Sequence, residues 1–93
     1  MIRSFKGKFA QAIFEGRSPK GVPAQIGLVA RRKLVMLDAA AVLDDLRIPP
    51  ANRLEALKGD RKGLHAIRIN DQWRVCFRWT NSGPADVEIV DYH

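Results

Sequence analysis

The hydrophobic period of the chain changes about half-way along. Ile2-Arg3-Ser4-Phe5 alternates apolar and polar side chains and predicts a short strand. Phe9, Ile13 and Phe14 then recur at helical spacing in a segment that Gly16 ends, which predicts a helix of about three turns. After a loop over residues 17–21, Pro23 stands where the first residue of a helix loses nothing by lacking an N–H. From there Ile26, Ala30, Leu34, Leu37 and Ala41 step by three or four residues, while Arg31, Arg32 and Lys33 fall largely outside the stripe. This second helix is the longest. It has to stop before Pro49-Pro50, because a residue preceding proline is pushed out of helical space, and a break near Asp38 fits the pattern.

The second half reads in twos. Leu54-Glu55-Ala56-Leu57 is a short strand candidate, and residues 58–63 form a glycine-punctuated loop carrying Lys58, Arg61 and Lys62. Residues 64–69 and 73–79 alternate as half-buried strands do, and residues 85–90 make the last strand after the turn Asn81-Ser82-Gly83-Pro84. A two-residue hairpin loop would pair Ile67 with Arg74 and mix apolar with charged. The three-residue loop Asn70-Asp71-Gln72 instead pairs Ile69 with Trp73, Ile67 with Val75 and His65 with Phe77, so the second register is expected.

The predicted fold class is α+β, with two N-terminal helices packed on a mostly antiparallel sheet of four to five strands. Trp73, Val75, Phe77, Val87 and Ile89 face the helices, and the opposite face is left open. That open face carries Arg68 directly opposite Arg74, with Arg78 further along the same strand. Like charges placed opposite one another are unfavourable unless an anion lies between them, so the face is expected to take a ligand. The plainer alternative is a solvated arginine face on which Glu88, one strand over, neutralises one of the cations.

Length and composition then narrow the chemistry. A chain of 93 residues is expected to form one domain, residues 1–93. A domain of this size buries only roughly 60–65% of its unfolded surface, which leaves no room for a large internal pocket, so any site lies on the surface. Cys76 has no cysteine partner for a disulfide or a multi-cysteine metal site, which points to a reducing cytoplasm. The N-terminus is charged where a signal peptide needs an apolar run, and no stretch approaches the roughly 20 apolar residues of a membrane span, so no membrane role is expected. The net charge is +6, and residues 47–79 hold most of the excess, including Arg47, Arg53, Lys58, Arg61, Lys62, Arg68, Arg74 and Arg78. The end of the chain is acidic, with Asp86, Glu88 and Asp91. A basic stripe of this kind suits a polyanion or an acidic protein partner. Glycine-rich nucleotide loops, paired-cysteine metal motifs and hydrolase elbows are lacking, so no cofactor and no metal is expected.

What remains is a basic loop, arginines on a strand and the terminal Asp91-Tyr92-His93. Together with Leu57-Lys58-Gly59-Asp60-Arg61-Lys62-Gly63 and Asn70-Asp71-Gln72-Trp73-Arg74-Val75, these make the chain resemble a HigB-type toxin of the RelE-like toxin–antitoxin superfamily over its whole length. The resemblance implies a compact RelE-like fold and a ribosome-dependent, metal-independent endoribonuclease that cuts messenger RNA in the decoding site. It also implies a HigA-type helix-turn-helix antitoxin as partner, the 70S ribosome and mRNA as targets, and operator DNA contacted only through the antitoxin.

The resemblance assigns Asp91, Tyr92 and His93 to catalysis, with His93 suited to proton transfer near neutral pH and Tyr92 to orienting or stacking a base. Arg74 is the candidate for stabilising the phosphate in the transition state, since a guanidinium stays charged and binds two oxygens at once. Lys58 either touches the scissile phosphate or joins Arg61 and Lys62 in clamping RNA, and Arg53, Arg68 and Arg78 are further RNA-binding candidates. Where some family members have a histidine three residues before the Lys-Gly-Asp motif, this chain has Glu55, which is left as a base or as a partner of Lys58. His65 does not replace that histidine, because its strand face is apolar, where a satisfied structural role is expected. Two rivals stay open: a non-catalytic module that blocks translation or ribosome assembly by occupying ribosomal RNA, and a protein-interaction domain whose basic face serves only an acidic antitoxin.

Overall fold

In the computed structural model, which describes residues 1–92, helices α1 (Phe9–Phe14) and α2 (Ala24–Ala39) pack on an antiparallel sheet of strands β1 (Glu55–Ala56), β2 (His65–Arg68), β3 (Trp73–Thr80) and β4 (Gly83–Asp91), in the order β1-β2-β3-β4. Short 3₁₀ turns occupy Leu43–Arg47, Pro50–Asn52 and Gly59–Arg61. The fold class is the predicted one. The three-residue hairpin register also holds, with His65 opposite Phe77, Ile67 opposite Val75 and Arg68 opposite Arg74.

The first helix is shorter than its periodicity suggested. Gly7 and Gly16 both have positive φ, 75° and 89°, a region that ordinary helical residues avoid, so α1 is held to 6 residues rather than three turns. In α2 the expected stripe holds at Ala30, Leu34 and Leu37, which are fully enclosed, and partly at Ile26, whereas Ala41 lies beyond the helix and is exposed. The helix ends at Ala39, the break expected near Asp38 and well before the prolines. The Asp45 carboxylate accepts from the backbone N–H groups of Ala41 and Val42 at 2.8 and 3.2 Å, offering them a partner outside the helix. The chain therefore leaves α2 at Ala40 and re-forms as a 3₁₀ turn.

Two strand expectations change as well. Residues 2–5 do run beside β4, through Arg3 N–H to Pro84 O at 2.8 Å and Lys6 N–H to Val87 O at 2.9 Å, but they form one parallel bridge, Phe5 to Val87, and no full strand. The cause lies in β4. Asp86 adopts φ 52° at a bulge between the Cys76 and Arg78 pairings, and its N–H turns to Ser4 Oγ at 2.8 Å instead of extending the ladder. The last turn is also tighter than Asn81-Ser82-Gly83-Pro84. Thr80 pairs with Gly83, so Gly83 and Pro84 belong to β4. Gly83 has φ 123°, and a Cβ there would collide with the Met1 carbonyl oxygen.

The core lies between α1, α2 and one face of the sheet, where Ile13, Leu34, Leu37, Ile67, Val75, Phe77 and Val87 are fully buried. Each such side chain contributes roughly 1.5–3 kcal/mol relative to leaving it exposed. The opposite face is not open throughout. Ala66 and Cys76, which point away from the helices, are 0% and 3% exposed, and Arg61 and Tyr92 reach over Cys76.

Candidate functional site

The cover over the outer face begins with the loop after β1. Leu57 N–H bonds Leu64 O at 2.9 Å and closes its base, while Leu64 N–H bonds Arg61 O at 3.0 Å. Gly59 and Gly63, at φ 66° and 93°, let the 3₁₀ turn between them double back over the sheet. Arg61 is thereby aimed at the end of β4. Its Nη1 donates to Tyr92 Oη at 3.3 Å and, weakly, to Cys76 Sγ at 3.9 Å, and its guanidinium carbon lies 5.4 Å from the centre of the Tyr92 ring.

A second guanidinium reaches the same ring from β3. Arg74 lies 5.3 Å from the Tyr92 ring centre and donates to the carbonyl oxygens of Asn70 and, at 3.1 Å, Trp73. Tyr92 is itself held by its backbone N–H on Gln72 O at 2.5 Å. Arg61, Arg74 and Tyr92, far apart in sequence, thus form one group. Cation–ring contacts at such partly exposed sites contribute about 0.5–1 kcal/mol each, enough to orient the side chains without fixing them rigidly.

Strand register builds the floor. Glu55, Ala66, Cys76 and Glu88 pair successively across the four strands and so share this face. Burial pushes the Cys76 thiol above its ordinary pKa, opposed by the Arg61 charge and a hydrogen bond with Tyr92, with Glu88 and Glu55 raising it further. Burial likewise raises the Tyr92 phenol, aided by Cys76 and opposed by Arg61. Both groups are neutral near pH 7. An unfolded chain would release these protons first as pH rises, so the contribution they make to stability is complete below their ordinary values and is lost as pH rises through the alkaline range. Urea midpoints are expected to fall between about pH 8 and pH 10, and less so in Tyr92→Phe. Tyr92→Ala is expected to raise the rate of iodoacetamide alkylation of Cys76 by roughly tenfold or more, since it removes the thiol's cover; an unchanged rate would mean that Tyr92 does not cap it.

Of the residues singled out in the sequence, the structure gathers Glu55, Arg61, Arg74 and Tyr92, with Lys58 and Lys62 exposed on the Arg61 loop. Asp91 pairs with Trp73 at the end of β4, and its side chain is exposed. His93 lies outside the described residues. Arg68 and Arg74 are paired in register, yet no anion is needed between them. Arg68 is paired with Asp71, and Arg74 with backbone carbonyls and Tyr92. Arg78 is neutralised by Asp86 at 3.3 Å rather than by Glu88. Arg53 and Arg68 line a separate cleft with Lys33. His65 stacks on Phe77 with ring centres 6.1 Å apart, as its apolar face predicts, but its Nδ1 is buried without a hydrogen-bond partner among the described residues, so it is not satisfied there.

Sequence reasoning missed Cys76 as the floor of the site and Asn70 as the anchor of Arg74. The strand alternation of β3 does place Cys76 on the same face as Arg74, and that signal sufficed to find it. Nothing in the pattern marked the Asn70 carbonyl. Its side chain also accepts from the N–H groups of Gln72 and Trp73 at 2.9 and 2.7 Å, the local turn-forming habit of asparagine. Among the described residues, no three His, Cys, Asp or Glu side chains gather as a metal-ligand set.

A family model for the RelE-like toxin HigB of type II toxin–antitoxin systems matches residues 3–93. The chain belongs to this HigB-like toxin family. Its relatives include Toxin HigB-1 of Vibrio cholerae, 42% identical over 82 residues that cover 87% of this chain and 86% of the relative. Endoribonuclease HigB of Proteus vulgaris is 34% identical over 93 residues, covering 100% of both chains. An uncharacterized protein of Haemophilus influenzae is 36% identical over 67 residues, 72% of this chain and 66% of the relative. HigB-like membership makes the chain a toxin of a type II system, whose counterpart is an antitoxin. No helix among the described residues is long and apolar enough to cross a membrane.

Proposed function

We propose that this HigB-like toxin is an endoribonuclease of the cytoplasm that cuts messenger RNA on the 70S ribosome without a metal ion, until a HigA-type helix-turn-helix antitoxin binds it. Operator DNA is reached only through that antitoxin. The observation that carries the reading is the meeting of Arg61 and Arg74 on Tyr92, beside the chain end, in a chain whose full-length relative is named an endoribonuclease.

The chemistry follows from what these groups offer. The ribose 2′-hydroxyl attacks the adjacent phosphorus, the bond to the 5′-oxygen breaks, and a 2′,3′-cyclic phosphate and a 5′-hydroxyl result. A base takes the 2′ proton, an acid protonates the leaving oxygen, and cations meet the charge growing on the non-bridging oxygens. Arg74 supplies the last of these. Tyr92 gives the base a flat surface, and Arg61, Lys58 and Lys62 hold the flanking backbone. His93 and Glu55 are the candidates for moving the proton, and Asp91 stands two residues before His93 in the chain.

Induced expression of the toxin alone is expected to arrest growth and to create new 5′ ends within translated messages, read by primer extension. Co-expressed antitoxin should abolish both. Arrest with intact messages would replace cleavage by occupancy of ribosomal RNA, and no arrest would leave only the interaction-domain reading.

A further inference from the structure

A second concave surface lies where α2, the Pro50–Asn52 turn and the end of β2 meet. This cleft, of about 430 Å³, has Lys33, Arg53 and Arg68 around a floor of Val29, Ala51 and Ile69, and it extends to Asn70. Its size falls within the roughly 300–1,000 Å³ of small-molecule sites. The residues lining it include no carboxylate.

Each of the cations is placed by a different device. Asn52 is wholly buried, donates to Leu46 O at 3.1 Å and accepts from Lys33 Nζ at 2.5 Å, so it draws the half-buried ammonium inward and leaves its other hydrogens unused. Burial lowers the pKa of Lys33, the mark of a cation short of water and of counter-charge. Arg53 stands at φ 46°, a backbone region that residues with a side chain seldom occupy, at the end of the turn that Asn52 anchors. Its guanidinium has no partner among the described residues. Arg68 is paired with Asp71, whose side chain is 93% exposed, and its remaining donors are free to turn to another acceptor. A strained backbone held in place to present an unpaired cation beside two others is arranged for an anion.

We propose that this cleft is a nucleotide subsite, which takes a phosphate on Lys33, Arg53 and Arg68 and the attached nucleoside against Val29, Ala51 and Ile69. It rests on the nuclease reading for the identity of the RNA, and the nucleotide held here flanks the one that is cut. Continuity favours RNA over an acidic protein segment. Asn70 lines the cleft, and its carbonyl oxygen accepts from Arg74, so a single residue joins the subsite to the candidate cleavage site. A polynucleotide engaged at Arg74 has the cleft on its path.

The test is an NMR titration of the full ¹⁵N-labelled chain with a four-nucleotide RNA made uncleavable by 2′-O-methylation. Amide shifts are expected at Val29, Ala51 and Ile69 as well as at Arg74 and Tyr92. Arg53→Gly suits the left-handed backbone and removes the guanidinium, and should weaken the cleft shifts by roughly five- to tenfold. It should also lower the slope of log K against log salt by about 0.7, the value of one phosphate contact to a single strand. Lys33→Gln serves as the second variant with the same expectation. Shifts confined to Arg74 and Tyr92, with both variants unchanged, overturn the subsite and leave the nuclease reading standing. Cleft shifts without any at Tyr92 uphold the subsite alone, and no shift at either overturns the subsite, while the nuclease reading is judged by cleavage on the ribosome. Hexaglutamate moving the cleft amides where RNA does not would overturn the proposal in favour of a protein ligand.

Discussion

Arg74→Ala is expected to lower message cleavage by about 10²–10³-fold, the usual effect of removing one preorganised donor from a charge-developing transition state. The reason is positional. The Arg74 side chain is half-buried, one of its nitrogens is tied to the Asn70 and Trp73 carbonyls, and Tyr92 packs against its face. That leaves the rest of a planar fork already oriented when a phosphate arrives, so little reorganisation is needed during the reaction. Arg74→Lys should recover little, because an ammonium can offer charge but not the two-point geometry. Single-turnover cleavage of a programmed 70S complex measures the loss. Circular dichroism and antitoxin binding should both match the unsubstituted chain, which separates lost chemistry from lost folding.

His93→Gln is expected to cost about 10²–10⁴-fold, the range for a positioned proton-transfer group. The pH–rate profile should lose one of its inflections in the variant. Glu55 is the competing proton carrier, placed by β1 on the same face as Cys76 and Glu88. If Glu55→Gln abolishes cleavage and His93→Gln leaves the rate unchanged, the proton belongs to Glu55, and the terminal histidine drops out of the mechanism. Equal large losses in both would assign the two proton transfers to the pair.

Much of this site was legible because strands report their own faces. Once the hairpin loop was set at Asn70-Asp71-Gln72, the pairing of Arg68 with Arg74 and the inward direction of Val75 and Phe77 followed from alternation alone. The partners of those arginines did not follow. Asp71 and the Asn70 carbonyl sit in a turn whose side-chain directions have no period, and they satisfy cations that alternation left opposed. The Arg61 contact with Tyr92 is a meeting of two chain segments across the sheet, and no pattern along the chain marks it. The break near Asp38 was legible in the pattern, but its cause is local. Asp45 competes for the backbone N–H groups of Ala41 and Val42, a single hydrogen-bonding choice that outweighs an otherwise helical stripe. Lys33 was set aside as falling off that stripe. Its role at the cleft depends on Asn52, and a buried asparagine carries no signature in the hydrophobic pattern.

The identity of the cut ends tests the chemistry most directly. Messenger RNA cleaved by the toxin on purified 70S ribosomes would be recovered, and the termini of the fragments read by mass spectrometry. Attack by the neighbouring 2′-hydroxyl leaves a 2′,3′-cyclic phosphate and a 5′-hydroxyl, and with Arg74→Ala these fragments should nearly vanish. Fragments ending in a 3′-hydroxyl and a 5′-phosphate, or cyclic ends produced equally well without Arg74, would contradict a site in which the arginines gathered at Tyr92 carry the charge of the breaking phosphodiester.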